Sequence, residues 1–275
     1  MIVLTLTSSD SANLYPDNEP GNFKNHLPGE LKLEGGNWLI GLARIQIPIT
    51  WPTLTEDEAA VKIYKPNVLR AVIRVTLPLT HFATIENLIA HLNHLIEQEG
   101  KNIPYTQIGG EVRDTRFHLG KDGRIFLSAY NDIIIEMSDK LKLILGLNSN
   151  IIETTQKPKG ITAKEENITR FTKTSPDISL GKNLIFVYSD IVEEQIVSDI
   201  KAPLLGTVPI NQNGDSFITY EPKTISWLKP STTRCQSIVC SLHTIDGNTV
   251  PFLHGQVIIT LHIKRDVSGG NEFIE

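Results

Sequence analysis

His91 and His94 sit three positions apart, a spacing that on a helix sets two imidazoles on one face, within reach of a shared metal ion. Asn87, Glu97 and Gln98 lie nearby, but spacing fixes no third ligand. The pair therefore reads as the solvated face opposite an apolar stripe, and no metal or other cofactor is expected. Asp190, Glu193 and Glu194 form an acidic cluster that could do general acid/base work if two carboxylates were held at a set separation in a buried site. Nothing in the sequence sets that separation, and a charged loop or an intersubunit contact is the simpler reading. Asp10, Asp17, Asn18 and Glu19 lack the spacing of an EF-hand loop and, beside prolines, read as turn formers.

Nucleophile chemistry has as little support. There is no G-x-S-x-G, no P-loop, no G-x-G-x-x-G after a strand, and no cysteine in a catalytic context. Cys235 and Cys240, the two cysteines of the chain, are spaced to fall on opposite faces of a strand, which disfavours a mutual disulfide. Trp38, Trp51 and Trp227 could stack on sugars or bases. Trp38 heads an apolar run and belongs to a core, whereas Trp51, at a strand end beside Pro52, and Trp227, between Pro222 and Pro230, are candidate contact residues. These readings point to a protein that is not an enzyme. A glycan- or receptor-binding β-sandwich is the alternative, with a β-sandwich hydrolase using Asp190, Glu193 or Glu194 behind it.

The elements that must position these residues are mostly strands. Among 275 residues, 40% are hydrophobic and 21% charged, enough apolar material for a packed core. The net charge of −5 and scattered Lys and Arg argue against direct nucleic-acid binding. Met1 to Thr7 lacks a basic n-region and a cleavage site, so neither a signal peptide nor membrane insertion is expected, and the sequon at Asn167 is read as unused. Ile2, Leu4 and Leu6 alternate, Tyr15 to Asn18 and Glu19 to Gly21 supply turns, and Phe23 and Leu27 share a strand face. Gly35-Gly36 then leads into Trp38 to Ile47, apolar on both faces as in a central strand. Val68 to Leu77 alternates cleanly.

From residue 79 the period changes. Ile85, Leu88, Ile89, Leu92 and Ile96 predict an amphipathic helix over 84–99, with Thr84 as N-cap and Gly100 as C′. A strand pair, Ile125 to Tyr130 and Ile133 to Met137, and a short helix after Ser138 follow. Later strands are Leu184 to Tyr188, Ile196 to Ile200, Phe217 to Tyr220, Ser237 to Ile245 and Gln256 to Lys264, the last two expected as a hairpin about Asp246-Gly247. The expected architecture is all-β dominated. Residues 1–78 and 183–265 form a β-sandwich, 79–150 an α+β insertion carrying the amphipathic helix, 151–182 an exposed excursion and 266–275 a tail.

Tyr15-Pro-Asp-Asn18, Asn22-Phe23 with Leu27-Pro28, Leu31-x-Leu33, Gly36-x-Trp38 and the run to Pro48 and Trp51 resemble the opening of Polinton/Maverick (adintovirus-like) minor capsid, penton-like proteins. A second zone is Leu184 to Glu193, with Gln195, Asp199 and Ala202-Pro-Leu-Leu205. In the family the segment after Trp38 often reads Glu-Val-Ala-Leu-x-Glu-Ile, where this chain has Leu39 to Ile45, and a glycine commonly stands where this chain has Ser198. The resemblance implies a jelly-roll vertex protein of the virion capsid, assembling into homopentamers beside a double-jelly-roll major capsid protein. It would fold in the host cytoplasm, assemble in the nucleus and meet a host receptor if it has one. The expected contact residues are Tyr15, Pro16, Asp17, Asn18, Trp51, Asp190, Glu193, Pro203 and Trp227, in loops that concentrate proline, aromatic and acidic residues outside the strands.

Overall fold

The computed structural model describes residues 1–66, 72–102, 112–129, 133–147, 151–153, 167–170, 174–180, 183–210 and 216–266. The chain divides into two compact units, Met1–Trp51 with Lys182–Glu275, and Pro52–Gly181.

In the first unit, alternating apolar residues build β1 (Ile2–Thr7), β2 (Asn22–Lys32) and β3 (Trp38–Pro48) before the second unit intervenes. We number the second unit's strands β4 to β10, so the first unit resumes with β11 (Leu184–Ser189), β12 (Gln195–Val197), β13 (Ile200–Ala202), β14 (Leu204–Pro209), β15 (Phe217–Tyr220), β16 (Arg234–His243) and β17 (Ile258–Arg265). One sheet has the order β1-β17-β3-β15 and the other β14-β11-β16-β2, with every pair antiparallel. Counting these eight strands along the chain gives 1-8-3-6 facing 5-4-7-2, the double Greek-key order of a jelly roll. Between the sheets lies a core that includes Leu6, Phe23, Ile40, Ile45, Val187, Ile238, Leu242, Ile259 and Ile263. As its two-sided apolar run predicts, β3 is central, between β17 and β15.

The expected hairpin about Asp246-Gly247 does not form between long strands. The turn is there, with Gly247 at φ +80° and Thr244 N–H donating to the Asn248 carbonyl at 2.8 Å. Beyond it the chain crosses to the other sheet, so β16 pairs with β11 and β2 while β17 pairs with β1 and β3. A turn signal between two alternating runs cannot distinguish a hairpin from a crossover. Likewise the expected single strand Ile196 to Ile200 is a small hairpin, β12 with β13, turning at Ser198 and Asp199. Ser198 holds φ +56°, the left-handed region where glycine is unstrained, at the position where the resembled family commonly has glycine. Cys235 and Cys240 are both free. Cys235 packs against the same core that encloses Cys240, because the ladder shifts register between Cys235 and Ser237 and turns the strand there.

The second unit takes up residues expected in the sandwich. β4 (Ala60–Tyr64) and β5 (Val72–Thr76) pair with each other and with β8 (Ile134–Met137) and β9 (Ile151–Glu153), in the order β5-β4-β8-β9. The sandwich therefore stops at Trp51, not near residue 78, because Val61, Ile63, Ile73 and Val75 bury into the second unit's own core. The start of the expected strand Val68 to Leu77 falls outside the described residues. β7 (Ile125–Ala129) lies between β6 (Arg116–Leu119) and β10 (Asn167–Arg170), so β7 and β8 belong to different sheets and are not a pair. β9 and β10 come from the stretch expected as an exposed excursion. Helix α1 (Ile85–Lys101) starts at Thr84, whose side chain accepts from Asn87 N–H. It runs through Gly100, which is buried inside the last turn where a Cβ would come within 3.0 Å of Arg113 Cγ. That close approach, not a left-handed cap, is what the glycine serves. A short α2 (Asp139–Ile144) is capped by Ser138 and stopped at Gly146, φ +68°. Among the described residues, no helix is long and apolar enough to cross a membrane.

Candidate functional site

The loop between β1 and β2 carries Tyr15 to Asn18. Asn18 is half-buried and behaves like a rung of sheet: its Nδ2 donates to the Lys24 carbonyl and its Oδ1 accepts from Lys24 N–H, both at 2.9 Å. A further bond at 3.1 Å reaches the Asp10 carbonyl. Lys24 Nζ stands 4.9 Å from the centre of the Tyr15 ring. Pro16 and Asp17 are exposed at the loop tip. Asn18 thus shapes the loop, and the surface it offers is Pro16 and Asp17.

A second group gathers where β11 ends. Asp190 N–H donates to the Val239 carbonyl at 3.3 Å, and Val239 N–H donates back to Asp190 Oδ1 at 2.8 Å. The carboxylate therefore replaces a main-chain carbonyl at the point where the strand leaves the ladder. Desolvation against β16 pushes its pKa up, and the bond from Val239 N–H and the charge of Lys24 hold the rise back. Pro203 accepts from Ser189 N–H at 3.0 Å, and Glu193 N–H donates to the Lys229 carbonyl at 3.0 Å. Residues 225–231 form a strap that bridges Ile40 with Leu228 on one sheet and Val192 with Pro230 beside the other.

Trp227 rides on that strap. Lys264 Nζ lies 4.0 Å from the ring centre, so one indole face is already occupied by a cation and is closed to a sugar. Room for the strap comes from Gly41, where a Cβ would fall 2.2 Å from Ile225 Cγ2. Asp190, Glu193, Pro203 and Trp227 thus collect at the end of the sandwich where β3 begins. Trp51 lies at the opposite end, edge-on to Phe252 at 5.8 Å and packed against the core.

Two cavities among the described residues offer little chemistry. A groove of about 230 Å³ between β14 and the β3/β15 side is lined by Leu42, Leu205, Thr207, Tyr220, Ser226 and neighbours, with no carboxylate, imidazole, thiol or amine. A larger hollow of about 590 Å³ beside the β6–β7 turn contains Lys121, Asp122 and Arg124, but Asp122 Oδ1 is engaged by Arg124 N–H at 3.2 Å as part of the turn. His91 stands 5.8 Å from Phe82 in an edge-to-face contact. Cys240 is fully enclosed, and burial pushes its thiol up to about 12. What residue reading missed was the treatment of strand edges, for which Pro28 inside β2 was the available signal.

Two four-stranded sheets in double Greek-key order, with an α+β unit inserted between β3 and β11, define an insertion-bearing jelly roll. The same fold is found in the crystal structure of the mavirus penton protein, at 11% identity and a TM-score of 0.53, over 96% of this chain and 99% of that one. A chain of the Sputnik virophage structure solved by electron cryo-microscopy matches at 13% identity and a TM-score of 0.52, over 98% and 99%. At such identities the likeness is one of fold, and it takes in both units. No protein-family model and no curated protein sequence matches the chain.

Proposed function

We propose that this protein is a structural component of a virion capsid, a penton-like vertex protein that closes into homopentamers beside a double-jelly-roll major capsid protein. The observation that carries the reading is end-to-end fold correspondence with the mavirus penton protein, 96% of this chain against 99% of that one. A jelly roll alone hosts many functions; an inserted α+β unit matched along with it is far more restrictive. A protein whose work is assembly acts by subunit contacts that repeat around a closed ring. Pro16, Asp17, Glu193 and Trp227 are offered as contact surface toward neighbouring capsid subunits, with Asn18, Asp190 and Pro203 holding the loops that present them and Trp51 bracing the far end of the sandwich.

Mass photometry with negative-stain imaging of the purified chain tests this reading. The expected result is a five-fold ring at about five times the monomer mass, and a monomer at all concentrations, alone and with the major capsid protein, would refute it. Exchanging Asp17 and Glu193 for lysine should leave the melting temperature nearly unchanged while weakening association, as surface charge reversals do at interfaces.

A further inference from the structure

The two sheets of the sandwich treat their edges differently. In the second sheet both edges are blunted. Along β2, the main-chain groups facing away from β16 are met in turn: Lys24 by Asn18, His26 N–H by Ser11 Oγ at 2.9 Å, and Pro28 has no N–H to offer. Along β14, Pro209 has no N–H to offer, and the Leu204 carbonyl accepts from Gln195 Nε2 at 2.7 Å. These are the devices by which a sheet avoids pairing with another chain.

The first sheet lacks them. Ser8 N–H donates to the Val257 carbonyl at 3.0 Å, so ladder alternation turns the even residues of β1 toward β17 and leaves Val3, Thr5 and Thr7 facing outward. Thr7 is met, its carbonyl accepting from Asn25 Nδ2 at 2.9 Å. Among the described residues, nothing meets the outward N–H and C=O of Val3 and Thr5. At the other edge Ile49 N–H donates to the Ser216 carbonyl at 3.0 Å, which by the same alternation leaves Phe217 and Thr219 facing away from β3, and among the described residues they too are unmet. Val3 and Phe217 are each 56% exposed. Neither strand carries a charge or a proline.

From this asymmetry we infer that β1 of one copy pairs with β15 of the next, so that the first sheet runs on from subunit to subunit. The inference rests on the ring reading above and names its joint. The two open edges match: each offers two outward residues, one large apolar and one threonine, and an antiparallel ladder that continues the sheet sets Thr5 against Phe217, a β-branched–aromatic pair, and Val3 against Thr219. They lie on opposite sides of one sheet, so joining them is head-to-tail, the arrangement that closes a ring rather than a two-fold dimer.

The test uses the full chain. Thr5→Pro and Thr219→Pro each remove an outward N–H without touching the main-chain bonds to β17 or β3, and Val3→Lys and Phe217→Lys add edge charges should either proline variant fail to fold. With far-UV circular dichroism and melting unchanged, each variant should raise the concentration needed for assembly by about tenfold or more, the effect of losing one or two backbone bonds and their packing. Covalent trapping supplies the second arm. In a Cys235→Ser background, a mixture of Val3→Cys and Phe217→Cys proteins treated with a short bismaleimide should give dimers that neither protein gives alone. Rings that assemble normally from the folded variants would overturn the joint and leave the ring reading standing, and so would efficient dimers from Val3→Cys alone, which mean β1–β1 pairing. An unsubstituted chain that stays monomeric overturns both.

Discussion

Asn18 and Asp190 show the same device at the scale of one residue: a short polar side chain supplies the hydrogen-bonding group that a strand neighbour would have supplied. Asn18→Ala leaves Lys24 N–H and C=O without their partners, and the melt should show a loss of about 1–2 kcal/mol. Asp190 also titrates. Because desolvation raises its folded-state pKa, the native protein holds that proton to a higher pH than the unfolded chain. Stability from this group therefore increases as pH falls between the two pKa values, and the cost of the partly desolvated charge is complete above them. Asp190→Asn keeps an oxygen for Val239 N–H and removes the charge. Urea melts from about pH 4 to 7 should find it as stable as the parent or slightly more so near neutrality, and without that acid-side gain. The residue is otherwise open to water, so the difference should be about half a kcal/mol or less. Glu58 has the opposite sign. Burial would raise its pKa, but Lys140 at 2.7 Å and the Thr55 hydrogen bonds outweigh it and hold the carboxyl below its usual range, so its contribution fades as pH falls through that lowered value. At Ser198 the left-handed backbone is strained for a residue with a Cβ, and Ser198→Gly should relieve up to about 1 kcal/mol there, visible as slower hydrogen exchange in the β12–β13 hairpin.

Among the elements, those with local causes were readable in the sequence. Helix α1 was predicted over 84–99 and runs Ile85–Lys101, because a strong apolar period and a threonine cap act within a few residues of each other. Partnership between strands was not readable in the same way. Asp246-Gly247 made a hairpin of β16 and β17 look certain, yet each found its partners in a different sheet, since pairing is decided by which face of each strand the core demands. The strap over Gly41 was equally hidden, an apolar run giving no hint that one position must lack a Cβ. Gly41→Ala should lift the strap, destabilise the fold by about 1–3 kcal/mol, and shift Trp227 fluorescence as Lys264 loses its place over the ring.

At the scale of the molecule, the sandwich draws all eight strands from residues on either side of the inserted unit. β3 leaves and β11 enters at the same end of the jelly roll, on sheets that stack about 10 Å apart. Replacing residues 52–181 by a Gly/Ser linker of about eight residues, ample for that span, should leave a sandwich that melts in one cooperative step with near-native β-sheet circular dichroism. A broad, non-cooperative melt would mean that the sandwich depends on the insertion.

By itself the sequence determined many of the strands, where the helix begins, that the core is β-rich and split by an α+β stretch, and that no local catalytic motif exists, because each of these follows from periodicity, capping or spacing within a short window. Only the tertiary structure decided the sheet order, the boundary at Trp51, the gathering of Asp190, Glu193 and Trp227 at one end with Trp51 at the other, and the contrast between blunted and open edges. Those depend on strands far apart in the chain competing for the same ladder positions, and no window of sequence contains both competitors.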